Sequence, residues 1–351
     1  MPAVDAGPVP DSGTPDAGRI IAAPYDAGVF DAVRISSISS DPHFHTATAP
    51  LTLRDGPYAS AKLIIDLAST CYPFEGWAAN PPPMGQRWPA DCDAFDRNFE
   101  FTLDEPGPDG GTPAIELERA ITPFGGPLHL EVDVTDVMNG LTQGEHSVTV
   151  RIPTYSDGAG MVSGSRGGWN VSAKVAFVPG TPPRNVVALI PLLNRDDTTG
   201  MEPEVSFTLP AGVVSTQLQY RVTGHGGAND TSSACIGPAE EFCRREHKLF
   251  ADGMPMDTFT PWRTDCATLC TLTNFPPSFG TGQYCKENPC GNMQSVRAPR
   301  ANWCPGSETP PIIEDSLEWR SAGTHRFRYT IANVKTGGVW RVSAVLLVYG
   351  G

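Results

Sequence analysis

The densest patch of potential chemistry in the sequence is Cys92-Asp93-Ala94-Phe95-Asp96-Arg97. It holds a cysteine, an aromatic ring and an Asp-Arg pair, and it stands directly before the alternating stretch Phe99-Glu100-Phe101-Thr102-Leu103. Residues packed this way suggest a carboxylate pinned in place, able to accept a proton or orient a water. The competing reading is a polar turn that contains a disulfide, with an Asp-Arg surface pair worth under about 1 kcal/mol. The hexapeptide alone does not choose between them.

The elements that would hold such a group are strands. Gly (36) and Pro (35) are both abundant in the 351 residues, which favours turns and short strands over long helices. From about Phe30 to Val178 the pattern has period two. Leu128, Leu130, Val132 and Val134 alternate with polar residues, as do Val148, Val150 and Ile152, and Trp169 to Phe177 alternates almost without a break. One buried and one wet face per strand argues for an antiparallel sandwich. Only Thr135 to Leu141 hints at a helical turn. Pro179-Gly180-Thr181-Pro182-Pro183 reads as a domain linker, placing one domain at 29–179 and a second at 183–351. In the second, Val186 to Leu192, Val205 to Leu209, Leu218 to Val222, Phe327 to Ile331 and Trp340 to Tyr349 read as strands, and regularity fails between Thr223 and Pro310.

Residues 1–28, built from Pro, Asp, Ala, Gly and Ser, cannot bury enough apolar surface to fold and read as a disordered tether to an envelope anchor or export signal. The opening Met reads as a cloning addition, with any export signal already removed. A net charge of −14 disfavours nucleic acid and anionic membranes as partners. No run approaches the roughly 18 apolar residues of a membrane span. Nine cysteines at uneven spacings fit a disulfide framework in an exported protein, with at least one thiol left over. Zinc is the weaker reading, because no Cys-x-x-Cys occurs.

Several segments, in order, resemble the bacterial peptide-N-glycosidase F family. Cys92 to Arg97 resembles its Cys-x-x-Trp-Asp-Arg motif. Arg119-Ala120-Ile121-Thr122-Pro123-Phe124 and Asp133-Val134-Thr135-Asp136 resemble two further stretches. Gly224-His225-Gly226, Glu240-Glu241-Phe242-Cys243, Trp262-Arg263-Thr264-Asp265-Cys266 and Arg300-Ala301-Asn302-Trp303-Cys304-Pro305-Gly306 complete the set. The order and spacing hold over roughly residues 45 to 310.

The resemblance implies an all-β chain of two tandem eight-stranded antiparallel jelly-roll domains packed side by side, with a site at their junction. It also implies an amidase that cuts between the innermost N-acetylglucosamine and the asparagine of N-linked glycoproteins or glycopeptides. Such an enzyme would need no metal or organic cofactor, would act as a monomer, and would be secreted, periplasmic or tethered to the outer surface of a bacterium.

Asp96 matches the family's essential aspartate and would activate water; Glu241 matches a second essential carboxylate and would position water, sugar or the scissile amide. Glu240 is a neighbour that a one-residue misalignment would exchange with it. Arg97 would hold sugar or favour ionised Asp96. Phe95, Ile121, Tyr155, His225, Arg300 and Trp303 fall at glycan-cleft positions, where aromatic faces and guanidinium donors suit a neutral sugar. Trp303 taken alone is as well read as a core residue. The family's third acid aligns with Pro153, which has no carboxylate, and Asp157 reaches that space only if the loop is shifted. The implied disulfides are Cys71–Cys92, Cys235–Cys243 and Cys266–Cys304. One more pair is expected among Cys270, Cys285 and Cys290, its connectivity open.

Two rival readings accompany the amidase. One is a glycan-binding module without catalysis, motivated by Pro153. The other is a copper monooxygenase, for which His43-Phe44-His45 is the only His-x-His.

Overall fold

The computed structural model describes residues 22–107, 110–154, 166–200, 204–227, 234–316 and 318–351. Tyr155 and Asp157 lie outside the described residues, as does 1–21 of the expected tether. Residues 25–28 already belong to the first strand, so the tether does not extend to residue 28. Asp26 on this strand binds Lys174 across the sheet (2.7 Å) and Tyr25 stacks on Phe177, contacts that a low-complexity reading of the segment could not anticipate.

The first sandwich is built from β1 (Tyr25–Ser36), β2 (Thr46–Leu53), β3 (Tyr58–Ser69), β4 (Asn98–Leu103), β5 (Ile115–Ile121), β6 (Leu128–Asp133), helix α1 (Thr135–Gly140), β7 (Gly144–Arg151) and β8 (Gly168–Pro179). One sheet runs β1-β8-β3-β6, and β5-β4-β7-β2 run side by side in the other. The period-two pattern explains the sandwich directly. In β3 and β8 the inward residues Leu63, Ile65, Leu67, Trp169, Val171 and Val175 meet Phe99, Phe101, Val148 and Val150 from the opposite sheet, all essentially unexposed.

The second sandwich repeats the order. Its strands are β9 (Val186–Asp197), β10 (Glu204–Leu209), β11 (Val213–Gly226), β12 (His247–Ala251) and β13 (Met254–Phe259). An insertion follows with β14 (Leu272–Asn274), β15 (Gln283–Cys285), helix α2 (Met293–Arg297) and β16 (Ser307–Glu308), and then β17 (Ile312–Ser316), β18 (Gly323–Ile331) and β19 (Gly338–Gly350). Its sheets run β17-β11-β19-β9 and β10-β18-β12-β13, around Leu218, Tyr220, Val222, Phe327, Tyr329, Trp340 and Leu346. Numbering eight strands within each sandwich gives 1-8-3-6 facing 2-7-4-5 in both, the jelly-roll order. The stretch from Thr223 to Pro310, expected to be irregular, contains β12 and β13 of this second sandwich. Gly224-His225-Gly226 is the end of β11, paired to Trp340, Val339 and Gly338.

The two sandwiches meet along a polar seam. All seven residues of β5 are buried, because the face turned away from its own core is covered by β11 and β19. Arg119 is fully buried, binds Glu116 through both nitrogens of its fork (2.7 and 2.6 Å), and donates to the Arg341 carbonyl (2.6 Å) and Thr223 (3.2 Å) across the seam. Arg341 answers with a two-point contact to Glu100 (2.8 and 2.9 Å). Burial opposes the charge on Glu100, but the Arg341 hydrogen bonds and charge hold its carboxyl well below the usual range. Finally β16, from the second half of the chain, pairs with β5 (Ser307 with Ile121, Glu308 with Ala120) and adds a fifth strand to the first sandwich's sheet. Arg119→Met, which strands the buried Glu116, should lower unfolding free energy by about 3–5 kcal/mol. A urea midpoint equal to that of the parent chain would contradict this account of the seam.

Candidate active site

Asp96 sits in a loop between β3 and β4 that is fastened at several points. Cys71–Cys92 ties its base to the end of β3. Asp93, fully buried, takes the Arg97 fork at 3.0 Å on each oxygen and the Trp169 indole N–H at 3.2 Å. Thr122, also fully buried, accepts from the Arg97 amide (2.8 Å), donates its hydroxyl to the Phe95 carbonyl (3.1 Å), and donates its own amide to the Arg97 carbonyl (2.8 Å). The segment from Phe95 to Arg97 is therefore gripped on both sides. Asp96 is left projecting, with a side chain that is 20% exposed.

Glu241 comes from the other sandwich, on a single 3-10 turn, Glu240–Phe242, inside the short Cys235–Cys243 loop. Glu240 is fully buried, with both oxygens on Arg245 (2.8 Å each) and one also on the Trp340 indole N–H (2.8 Å). That arrangement answers which of the paired glutamates faces the site. Glu240 anchors the turn, and Glu241 points out of it, 23% exposed.

Arg300 joins the two. Its backbone pairs with Arg263 in both directions (2.9 and 3.1 Å), and Ala301 donates to the Glu241 carbonyl (2.8 Å). Its fully buried guanidinium lies 3.3 Å from Glu241 Oε1 and 3.7 Å from Asp96 Oδ2. Both N–H groups of Nη2 go to Ser295, one to its carbonyl (2.8 Å) and one to its hydroxyl (2.9 Å), so Asp96 meets the guanidinium as an ion pair rather than through a hydrogen bond. Phe242 and Trp303 face the guanidinium from 4.7 and 4.5 Å. Gly224 is required here: a Cβ would come within 2.9 Å of Ala301 and 3.0 Å of Trp340, and the close approach lets Trp303 Nε1 reach the Gly224 carbonyl at 2.8 Å. Burial pushes Asp96 above the usual carboxylate range, against the pull of Arg300. Burial likewise lifts Glu241 to about 7, with Arg300 opposing and Asp96 adding to the rise. Two carboxylates on one guanidinium thus share fewer than two charges near neutrality.

The other expected cleft residues divide. Phe95 is 39% exposed, with Trp88 at its edge (6.3 Å) and Arg97 over its ring (5.0 Å), and can offer an aromatic face. Trp303 and Ile121 cannot: each is about 1% exposed. The Trp303 indole instead packs between Arg300 and the His225 ring, and Ile121 lies under the β5–β16 pairing. Arg97 gives Nε and Nη2 to Asp93, and its charge also favours ionised Asp96, as expected. His225 stacks on Trp303 with Nε2 buried and unpartnered, and burial drives its pKa down to about 3, so it stays neutral. Asp93, Thr122 and Ser295 are the positioning residues that sequence reasoning passed over. Asp93 and Thr122 lie inside quoted motifs, and the Asp93–Arg97 spacing was a readable signal; nothing marked Ser295.

Disulfides join Cys266–Cys304 and Cys270–Cys285 in the insertion, leaving Cys290 as the free thiol. Phe74 and Trp77, on the Asp96 side, pack against Phe279 (5.3 and 5.4 Å), and Phe74 also meets Tyr284 (5.3 Å), clasping the β14–β15 hairpin to the first sandwich. His45 of the His-x-His is bonded to the Thr154 carbonyl (2.6 Å). Among the described residues, the one set of three candidate metal-ligand atoms in mutual reach is Cys71, Cys92 and Cys290.

Residues 194–347 match the family described as peptide-N-glycosidase F, C terminal. The match spans most of the second sandwich. Solved structures extend the likeness in fold to both sandwiches. PNGF-II aligns over 93% of this chain and 66% of its own, at 21% identity and a TM-score of 0.69. PNGase F, a glycosylasparaginase from Flavobacterium meningosepticum, aligns over 93% and 96%, at 19% identity and a TM-score of 0.64. A recombinant PNGase F gives 18% and 0.64. The chain thus spans just under two thirds of PNGF-II and nearly all of PNGase F. No curated protein sequence matches it. The four disulfides suit an oxidising compartment, and among the described residues no helix is long and apolar enough to cross a membrane.

The Glu241 carboxyl titrates from 4.5 when unfolded to about 7 when folded. Its stabilising contribution is therefore complete below about pH 4.5 and lost as pH rises through about 7. Glu241→Gln cannot lose a proton, so the variant should gain about 1–3 kcal/mol over the parent chain between pH 5 and pH 8. A parent-to-variant difference that stays flat across that range in urea titrations would refute the raised pKa.

Proposed function

We propose that the chain hydrolyses the amide between the innermost N-acetylglucosamine and the asparagine side chain of N-linked glycoproteins or glycopeptides, leaving aspartate. The observation that carries this reading is the pair of partly exposed carboxylates, one from each sandwich, held on a single buried arginine. Amide hydrolysis needs a base for water and a proton for the departing nitrogen, and this pair can supply both.

Asp96, whose burial is opposed by the charges of Arg300 and Arg97, takes a proton from the water as its oxygen attacks the asparagine carbonyl carbon. Glu241, protonated up to about pH 7, gives its proton to the glycosylamine nitrogen as the C–N bond breaks. The products are a carboxylic acid on the peptide and a glycosylamine, which later loses ammonia to water. The exposed face of Phe95 is the sugar platform on the Asp96 side. Arg300 holds both acids in register, through a hydrogen bond to Glu241 and an ion pair with Asp96, while Ser295 fixes its Nη2.

Incubation with a denatured N-glycoprotein should release glycan and convert the glycosylated asparagine to aspartate, read by mass spectrometry. Chitobiose binding without release at any pH from acidic to neutral would favour the non-catalytic module that Pro153 suggests. Asp96→Asn should lower kcat by about 10²–10⁴ with an unchanged thermal midpoint; full activity in that variant would remove the assigned role. The release rate should fall above about pH 7 as Glu241 loses its proton, and an alkaline limb that persists in Glu241→Asp at the same midpoint would assign it to another group.

A further inference from the structure

Each sandwich carries the same corner where its fourth strand ends against its seventh. In the first, Asp104 follows β4 in the left-handed region (φ 51°), and its amide donates to the Ser147 carbonyl of β7 (2.9 Å). Its carboxylate accepts from the Ser147 amide (2.9 Å) and meets His146 Nδ1 (2.7 Å), while His146 Nε2 meets the Thr142 carbonyl (2.9 Å). In the second, Asp252 follows β12, also at φ 51°, and its amide donates to the Arg326 carbonyl of β18 (3.0 Å). Its carboxylate accepts from the Arg326 amide (2.7 Å) and meets His325 Nδ1 (2.8 Å), while His325 Nε2 meets the Ser321 carbonyl (2.9 Å). Each histidine is the third residue of its strand, behind a glycine of positive φ (Gly144, 129°; Gly323, 134°). β4 and β12 are also the strands that leave the loops of Asp96 and Glu241, so these corners fasten the far ends of both.

We propose that His146 and His325 are imidazolium latches, and that losing their protons as pH rises loosens the same corner in both sandwiches. An ionised carboxylate and a backbone carbonyl can only accept, so each ring must carry N–H on both nitrogens to bond as it does. A neutral ring has one N–H and would turn a lone pair on one of the two oxygens. Burial opposes the charge on His146, but the Thr142 carbonyl and Asp104 outweigh it and raise its pKa above the ordinary 6.5. His325 is raised in the same way, burial being outweighed by Asp252 and the Ser321 carbonyl. Other charged groups nearby leave this balance alone. β2 beside His146 holds no titratable residue, Glu145 adds a further carboxylate to that face, and Glu100 of β4 is taken by Arg341. Against His325, β10 sets the Phe207 ring (5.9 Å) and pairs its Glu204 with Arg326, while on β12 Lys248 pairs with Glu246 and His247 bonds to Tyr220. With both folded pKa values above 6.5, the stability the latches supply is complete below about pH 6.5 and lost as pH rises through the folded values.

The test is NMR titration of the isotope-labelled full chain, with the two rings assigned through their own backbone signals. Both rings should carry N–H at Nδ1 and Nε2 at low pH and reach half-deprotonation above about pH 6.5. A half-point at or below 6.5 in either ring overturns the proposal. Amide hydrogen exchange reads the mechanical consequence. Corrected for the intrinsic rate, protection of the Ser147 and Arg326 amides should fall about tenfold as pH rises through the two titrations, the loss of one charge-assisted bond of about 1.4 kcal/mol. In His146→Gln the fall at Ser147 should vanish while that at Arg326 remains, which a general alkaline loosening would not produce. Protection that stays level with pH in the parent chain, or that falls at Ser147 as steeply in the variant, overturns the latch. Should His146→Gln fail to fold, the ring half-points and amide protection of the parent chain decide the matter.

Discussion

Everything at the candidate site depends on a guanidinium that has no water to fall back on. Arg300 is fully buried, yet its two carboxylate contacts reach it from different sandwiches and are both partly exposed. A buried charge is tolerated only when paired and hydrogen-bonded, and this one has its partners only where Asp96, Glu241 and Ser295 converge on it. The Phe242 and Trp303 rings above it add a weaker, non-ionic hold. The relative placement of the two halves is therefore part of the site's electrostatics. Shift one sandwich against the other and the arginine loses an acid at the same moment as the acid loses its charge control.

The seam provides that rigidity by layering oppositely charged residues where an ordinary interface would have a hydrophobic core. Glu116 with Arg119, Glu100 with Arg341 and Glu118 with Arg221 alternate along β4, β5, β11 and β19. Pairs of this kind add little net stability over apolar packing, but they penalise every wrong register heavily, since a slip would strand several buried charges together. The β5–β16 pairing fixes the register a second time through the backbone. It also links the site in sequence, because Thr122 follows β5 directly and grips the Asp96 loop, while Arg300 precedes β16 by a short, disulfide-bound turn.

The sandwich class was legible because its signal is repeated: β4, β6, β7 and β8 in the first half, and β9, β10, β11, β18 and β19 in the second, all read as strands from their apolar pattern. β12 was not legible, with only five residues, two of them His247 and Lys248, set among glycines, prolines and cysteines. β16, two residues long, carries no pattern at all. For the site, the charged residues were readable and the apolar ones were not. A carboxylate or guanidinium near a motif has few reasons to be there, so Asp96, Glu241 and Arg300 stood out and do come together. Ile121 and Trp303 sit in equally suggestive motifs, but an apolar side chain serves a core as readily as a cleft, and only burial separates the two uses. Thr122 shows the reverse: an unremarkable residue in sequence that makes three hydrogen bonds to one loop.

The borrowed strand β16 bears on how such a chain can change over time. A first sandwich standing alone would display the edge of β5 unpaired, with Glu116, Glu118 and Arg119 facing solvent on what is now an inner surface. Neither half could be transferred to another protein or lost without exposing that edge and separating the two acids. The two jelly rolls must be inherited together, and the unit on which selection acts is the pair.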